Sequence, residues 1–216
     1  MKFEVCTETL AGAKAAQEGG AHRIELCAQL DLDGLTPSDD LLLAVKQAVD
    51  LPVLCMARPC GGSFHLGKEV FEGLLEQAKQ LKALGADGLV VGMLTSQGAV
   101  DLQQLKRLMH VADGLPVTFH RAMDHTLHVE EALEVLIAHG VKRVLTSGCR
   151  GNAEQGTEQL RKLVEQAAGR IDIVVGGGVR AHNVRQLQQA TGATEFHSAL
   201  DRNPTAGTVL ELVKSL

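Results

Sequence analysis

Cys6 and Cys27 stand in the motifs EVC and RIELC, 21 residues apart, and each follows a glutamate by two positions, Glu4 and Glu25. Two thiolates facing one space suit a single soft ion, Cu(I) before any harder metal. A buried cysteine also serves as a small apolar side chain, so the spacing alone leaves both uses open. A second chemistry rests on Glu4, Glu25, Arg58 and His120: carboxylate or imidazole to move a proton, and a guanidinium to hold negative charge. GGGVR, with Gly176, Gly177, Gly178 and Arg180, offers close backbone approach and amides to an anion, often a phosphate, and Arg121, Thr146 and His197 are candidates to join it. In HRAMD, Asp124 either orients a neighbouring base or pairs with Arg121. RPCGGSFH, residues 58–65, is a second glycine-rich loop suited to a lid or a ligand contact, with Cys60 read as an incidental exposed thiol.

These residues need a frame that brings them to one place. In RIELC, Ile24 and Leu26 alternate with Arg23, Glu25 and Cys27, a strand whose second face is ionisable rather than apolar. The pattern recurs: GGAHRIEL, GADGLVVG, GVKRVLTSG and GATEFHSA each place a glycine where a helix should close, followed by a strand. KFEVC, LPVLCMAR, LPVTFHRAM and RIDIVVGGG supply four more strands between them. Helical periodicity fills every gap, from Leu10, Ala13 and Ala16 through Leu41, Val45 and Ala48 to Val209, Leu210 and Val213. Eight strands alternating with eight helices predict an α/β fold, a (β/α)8 TIM barrel, as a single domain over residues 1–216. A doubly wound open sheet is the competing topology, but FEVCTETLAG lacks a GxGxxG after the first strand. In the barrel, Ile24 and Leu26 pack on helices while Arg23, Glu25 and Cys27 point inward. The same alternation turns Glu4, Cys6, Arg58, Thr118, His120, Thr146, Glu195 and His197 inward, at the end where barrels hold their sites.

Composition narrows the function. A net charge of −5 and scattered histidines give no basic field for nucleic acid or a membrane surface. No stretch approaches the roughly 20 apolar residues of a membrane span, and Glu4 and Thr7 interrupt any secretory apolar run, which predicts a cytoplasmic protein. Five cysteines without CxxC spacing indicate neither a disulfide framework nor a structural zinc site. No lysine falls at the C-terminal end of a strand, which disfavours a Schiff-base aldolase.

EVC, GGAHRIELC, DGLTPS, MARPCGG, GADGLVVG, LPVTFHRAMD, VLTSG, GGGVRAHN and EFHSA in combination resemble the CutC copper-homeostasis family, from residue 3 to about residue 199. The resemblance implies a (β/α)8 fold, a cytoplasmic location, a homodimer or homotetramer and a role in copper handling. It also implies Cu(I) as the bound ion, with Cys6 and Cys27 as its ligands. The chain departs from the family pattern at His22, where aspartate is usual, at the DG before LTPS, where GG is usual, and in a short LDRNPTAG segment that shapes the last mouth loop. Two functions follow as expectations. One is a copper-binding protein. The other is a barrel enzyme using Glu and His acid-base chemistry on a small anionic metabolite.

Overall fold

The computed structural model describes residues 1–202 and 204–215. Eight parallel strands close into one barrel in chain order. They are β1 (Lys2–Thr7), β2 (Arg23–Leu26), β3 (Val53–Met56), β4 (Gly88–Val91), β5 (Val117–Phe119), β6 (Arg143–Thr146), β7 (Asp172–Val175) and β8 (Glu195–Ser198). The helices between them are α1 (Leu10–Glu18), α2 (Asp39–Ala48), α3 (Lys68–Ala83), α4 (Leu102–Ala112), α5 (Val129–Ala138), α6 (Thr157–Ala167), α7 (Val184–Thr191) and α8 (Ala206–Lys214). Side chains start several of them. Thr9, Ser38 and Asp101 each accept the backbone N–H three residues on, which satisfies an orphan donor of the first turn. Gly85, Gly140 and Gly192 end their helices with left-handed φ of 89°, 76° and 72°, where any other residue would be strained.

The main core lies between strands and helices, with Phe3, Val5, Ile24, Leu26, Leu89, Phe119 and Phe196 buried against the helical ring. Register gives the opposite face. Glu4 pairs with Arg23 and with His197, Cys6 with Glu25, Leu54 with Gly88, and Val90 with Thr118, so all these residues point inward together. Inside the barrel, Cys6, Cys27, Leu54, Met56 and Val90 form a small apolar cluster of their own.

Three expectations shift by one residue. Thr146 pairs with Val175, which packs on the helices, so Thr146 faces outward and Leu145 takes the inward place. Val144 and Leu145 are both apolar, so alternation could not fix which of them faces the helices. In α8 the buried pair is Val209 and Leu212, while Leu210, about 100° further round the helix, is 40% exposed. In α2, Leu42 rather than Leu41 is fully buried. The LDRNPTAG segment forms a 3₁₀ turn at Leu200–Arg202 before α8, and its Asn203 lies outside the described residues. His22 accepts the Phe3 N–H on Nδ1 at 3.1 Å and so ties the entry of β2 to β1.

Candidate functional site

A chain of ionised groups runs through the barrel interior at the seam of β8, β1 and β2. Lys2 pairs with Glu195 at 3.0 Å, Arg23 with Glu195 at 2.6 Å and with Glu4 at 2.5 Å, and Glu4 with His197 Nδ1 at 2.7 Å. Burial would raise the Glu4 carboxyl, but Arg23 and then His197 override it and hold it at about 2. Burial would likewise lower the His197 imidazole, but the Glu25 and Glu4 carboxylates push it above its ordinary value. Buried charges of this kind persist only where partners compensate their lost hydration. Glu4 meets that condition with a cation on either side.

Beside this chain sit the two cysteines. Cys6 Sγ lies 3.5 Å from Cys27 Sγ and 3.3 Å from Glu25 Oε1, to which it donates. The bond with Cys27, burial and the nearby Glu25 together raise the Cys6 thiol well above its ordinary range. Burial also raises the Glu25 carboxyl, and its Oε2 has no hydrogen-bond partner. Cys6, Glu25 and His197 each offer a ligand atom within 4.8 Å of the others. A loop closes over the sulfurs: Asp33 and Gly34, both left-handed at φ 62° and 84°, bring Gly34 so close that a Cβ there would stand 3.6 Å from Cys27 Sγ.

Above the sulfurs a cavity of about 380 Å³ opens at the C-terminal end of the strands. Among the described residues, Arg58, Arg121, Arg150 and Arg180 reach its wall against two acids, Glu25 and Asp33. Arg58 is held by the Leu32, Gly34 and Gly62 carbonyls at 2.7, 3.2 and 3.2 Å and lies over the Phe64 ring at 5.1 Å, and burial lowers its pKa. His120 accepts the Ala122 N–H on Nδ1 at 3.1 Å, so a neutral ring carries its proton on Nε2. Burial and then Arg58 depress this imidazole to about 3, which keeps it neutral. The ring can donate a hydrogen bond from Nε2, while its basic nitrogen is already engaged.

The cavity wall therefore includes Cys6, Glu25, Arg58, His120, Arg121, Gly177, Gly178, Arg180 and His197. Of the residues proposed from sequence as catalytic, anion-binding or metal ligands, four are not on it. Cys27 is fully buried behind Cys6, and Glu4 is enclosed in its ion pairs. Gly176 is packed so tightly that a Cβ would meet the Leu145 side chain at 2.6 Å. Thr146 bonds outward to Asp124 Oδ1 at 2.5 Å. Asp124 also accepts from Arg121 Nε at 2.8 Å and from the Ser147 amide and hydroxyl at 3.0 and 2.8 Å, so it braces the loops after β5 and β6. Phe64, His125 and Arg150 line the cavity without having been picked out individually. Phe64 lies in the loop already marked as glycine-rich, and Arg150 follows the end of β6. Position after a strand end was the available signal for both.

The barrel and its mouth define a (β/α)8 protein with a buried thiol pair under an arginine-rich cavity. The family model described as the CutC family matches residues 1–201. The chain belongs to the CutC family. It is 44% identical over 195 residues to the human "Copper homeostasis protein cutC homolog", which covers 90% of this chain and 71% of that protein. A family protein CutC from Xanthomonas axonopodis pv. citri (strain 306) is 45% identical over 92% of this chain and 83% of its own length. Among solved structures, one described as CutC from Streptococcus agalactiae superposes with a TM-score of 0.88 at 30% identity, over 92% of this chain and 98% of that one.

Proposed function

We propose that this protein binds Cu(I) as cargo through Cys6 and Cys27, in the cytoplasm. The observation that carries the reading is the 3.5 Å separation of two free, buried sulfurs. Metal–thiolate bonds are about 2.3 Å long, so both sulfurs lie within reach of one ion. Soft sulfur donors favour Cu(I), and the copper-homeostasis name of the human relative agrees with that choice. The raised Cys6 thiol sets the conditions for binding. An ion takes the thiolate and releases the proton, and Glu25 Oε1 already accepts the Cys6 hydrogen bond and can receive it. Affinity therefore rises with pH. A reducing cytoplasm keeps the thiols free to bind.

The test is an anaerobic titration of reduced protein with Cu(I) against a competing chelator. One ion per chain should bind tightly, and the Cys6→Ser, Cys27→Ser double variant should lose that binding while Cys60→Ser retains it. Retention no stronger than that of an unrelated protein with exposed thiols would remove copper from the account.

A further inference from the structure

We infer that the cavity above the sulfurs is a binding site for a small phosphorylated metabolite, independent of any ion held by Cys6 and Cys27. Its volume of about 380 Å³ falls in the range of small-molecule pockets and far exceeds what a bare ion fills. Its walls carry a specific deficit. Arg58 is 5% exposed, yet its guanidinium meets only carbonyl oxygens, and no carboxylate lies at ion-pair distance from it among the described residues. A buried cation held by neutral groups gains most from an anion that reaches it. His120, also 5% exposed, has a buried Nε2 without an acceptor, and Glu25, 3% exposed, has a buried Oε2 without a partner. Both residues line the cavity, and buried polar atoms are almost always hydrogen-bonded, so an unpartnered atom on each points to an absent polar molecule.

The loops indicate which end of that molecule goes where. Gly177 and Gly178 follow β7 with φ of 87° each, and Ser198 and Ala199 end β8 beside them on the cavity wall. Loops after the seventh and eighth strands are where barrels of this architecture hold phosphate. At Gly177 a Cβ would stand 3.3 Å from the Arg121 guanidinium carbon, so the glycine lets that cation lie against the loop backbone. The phosphate sits here, facing Arg121 and Arg180. The rest of the ligand extends toward His120 and Glu25, which require an oxygen acceptor for Nε2–H and a polar group opposite Oε2. A phosphomonoester of a small hydroxyl- or carbonyl-bearing compound meets both requirements.

Calorimetric titration with glycerol 3-phosphate, inorganic phosphate and glycerol tests this. Glycerol 3-phosphate should bind saturably, inorganic phosphate more weakly, and glycerol without saturation. Arg121→Gln and His120→Phe should each weaken glycerol 3-phosphate at least tenfold. His120→Phe keeps an aromatic ring while removing both nitrogens, and each variant's thermal transition verifies its fold. Arg150→Gln, at an exposed rim position, should weaken binding less. Binding should persist in the Cys6→Ser, Cys27→Ser variant, which separates this site from the copper reading. Absence of saturation by either phosphate, equal affinity for glycerol, or an equal loss in the remote surface variant Arg161→Gln would overturn the proposal.

Discussion

Glu4 neutralises two cations at once, and its removal should cost more than the loss of one surface pair. Glu4→Gln leaves Arg23 and His197 short of their anion inside the barrel, and stability should fall by about 3–5 kcal/mol in urea denaturation. The pH profile adds a signed expectation. Glu4 titrates at about 2 when folded against an ordinary value of 4.5, so its contribution is complete above 4.5 and is lost as pH falls toward 2. His197 is shifted upward from 6.5, so its contribution is complete below 6.5 and is lost as pH rises through the folded value. His120, held at about 3 in the fold, adds to the acid loss from 6.5 downward, and Glu25, raised by burial, adds to the alkaline loss above 4.5, so urea midpoints should decline toward both acid and alkaline pH. In Glu4→Gln the acid limb should shrink below about pH 4.5 while the shares of His120 and Glu195 remain, and an unchanged acid limb would show that those other groups control it. Alternation in the sequence revealed that these residues face inward. It carried no information on pairing, because partners such as Glu4 and His197 are 193 residues apart and meet only when the barrel closes.

At the scale of elements, Gly92 shows how one strand shapes the next. It follows β4 beside the end of β5, and a methyl group there would overlap the His120 ring and stand 2.7 Å from the Ala122 Cβ. Gly92→Ala should displace the His120 ring and destabilise the protein by about 1–3 kcal/mol, the usual cost of overpacking. Imidazole resonances in NMR would report the displacement, and an unmoved His120 signal would contradict it. The order of strands and helices was legible because closing glycines and apolar periodicities of 2 and 3.6 agreed. Facing was less legible where two apolar residues adjoin. Val144 and Leu145 in β6, and Val209 and Leu210 in α8, admit two phases locally, and only packing against neighbouring elements selects one. The brace from Asp124 to Thr146 and Ser147 was hidden for a related reason: it links two loops 22 residues apart.

Over the whole molecule, the ionised chain coincides with the seam where the first and last strands meet. Glu4 and Arg23 come from β1 and β2, Glu195 and His197 from β8. A chain ended at Gly192 lacks the last strand and helix, leaving Arg23 and Glu4 on an open edge with only each other. It should lose cooperative unfolding in urea and bind a hydrophobic dye, as compact states without fixed packing do. A sharp two-state transition in that truncated chain would show that the seam is dispensable.

The same seam imposes an order on biosynthesis. Cys6, Glu25 and Cys27 leave the ribosome well before the groups that set the charge around them, Glu195 and His197. Chains are made from the N-terminus, and partly made barrels expose unpaired strand edges. A nascent chain therefore displays its sulfurs long before it has a mouth, and a finished site can arise only after the last strand has been released. A chain stopped before β8 keeps an open barrel and an incomplete charge cluster beside its sulfurs.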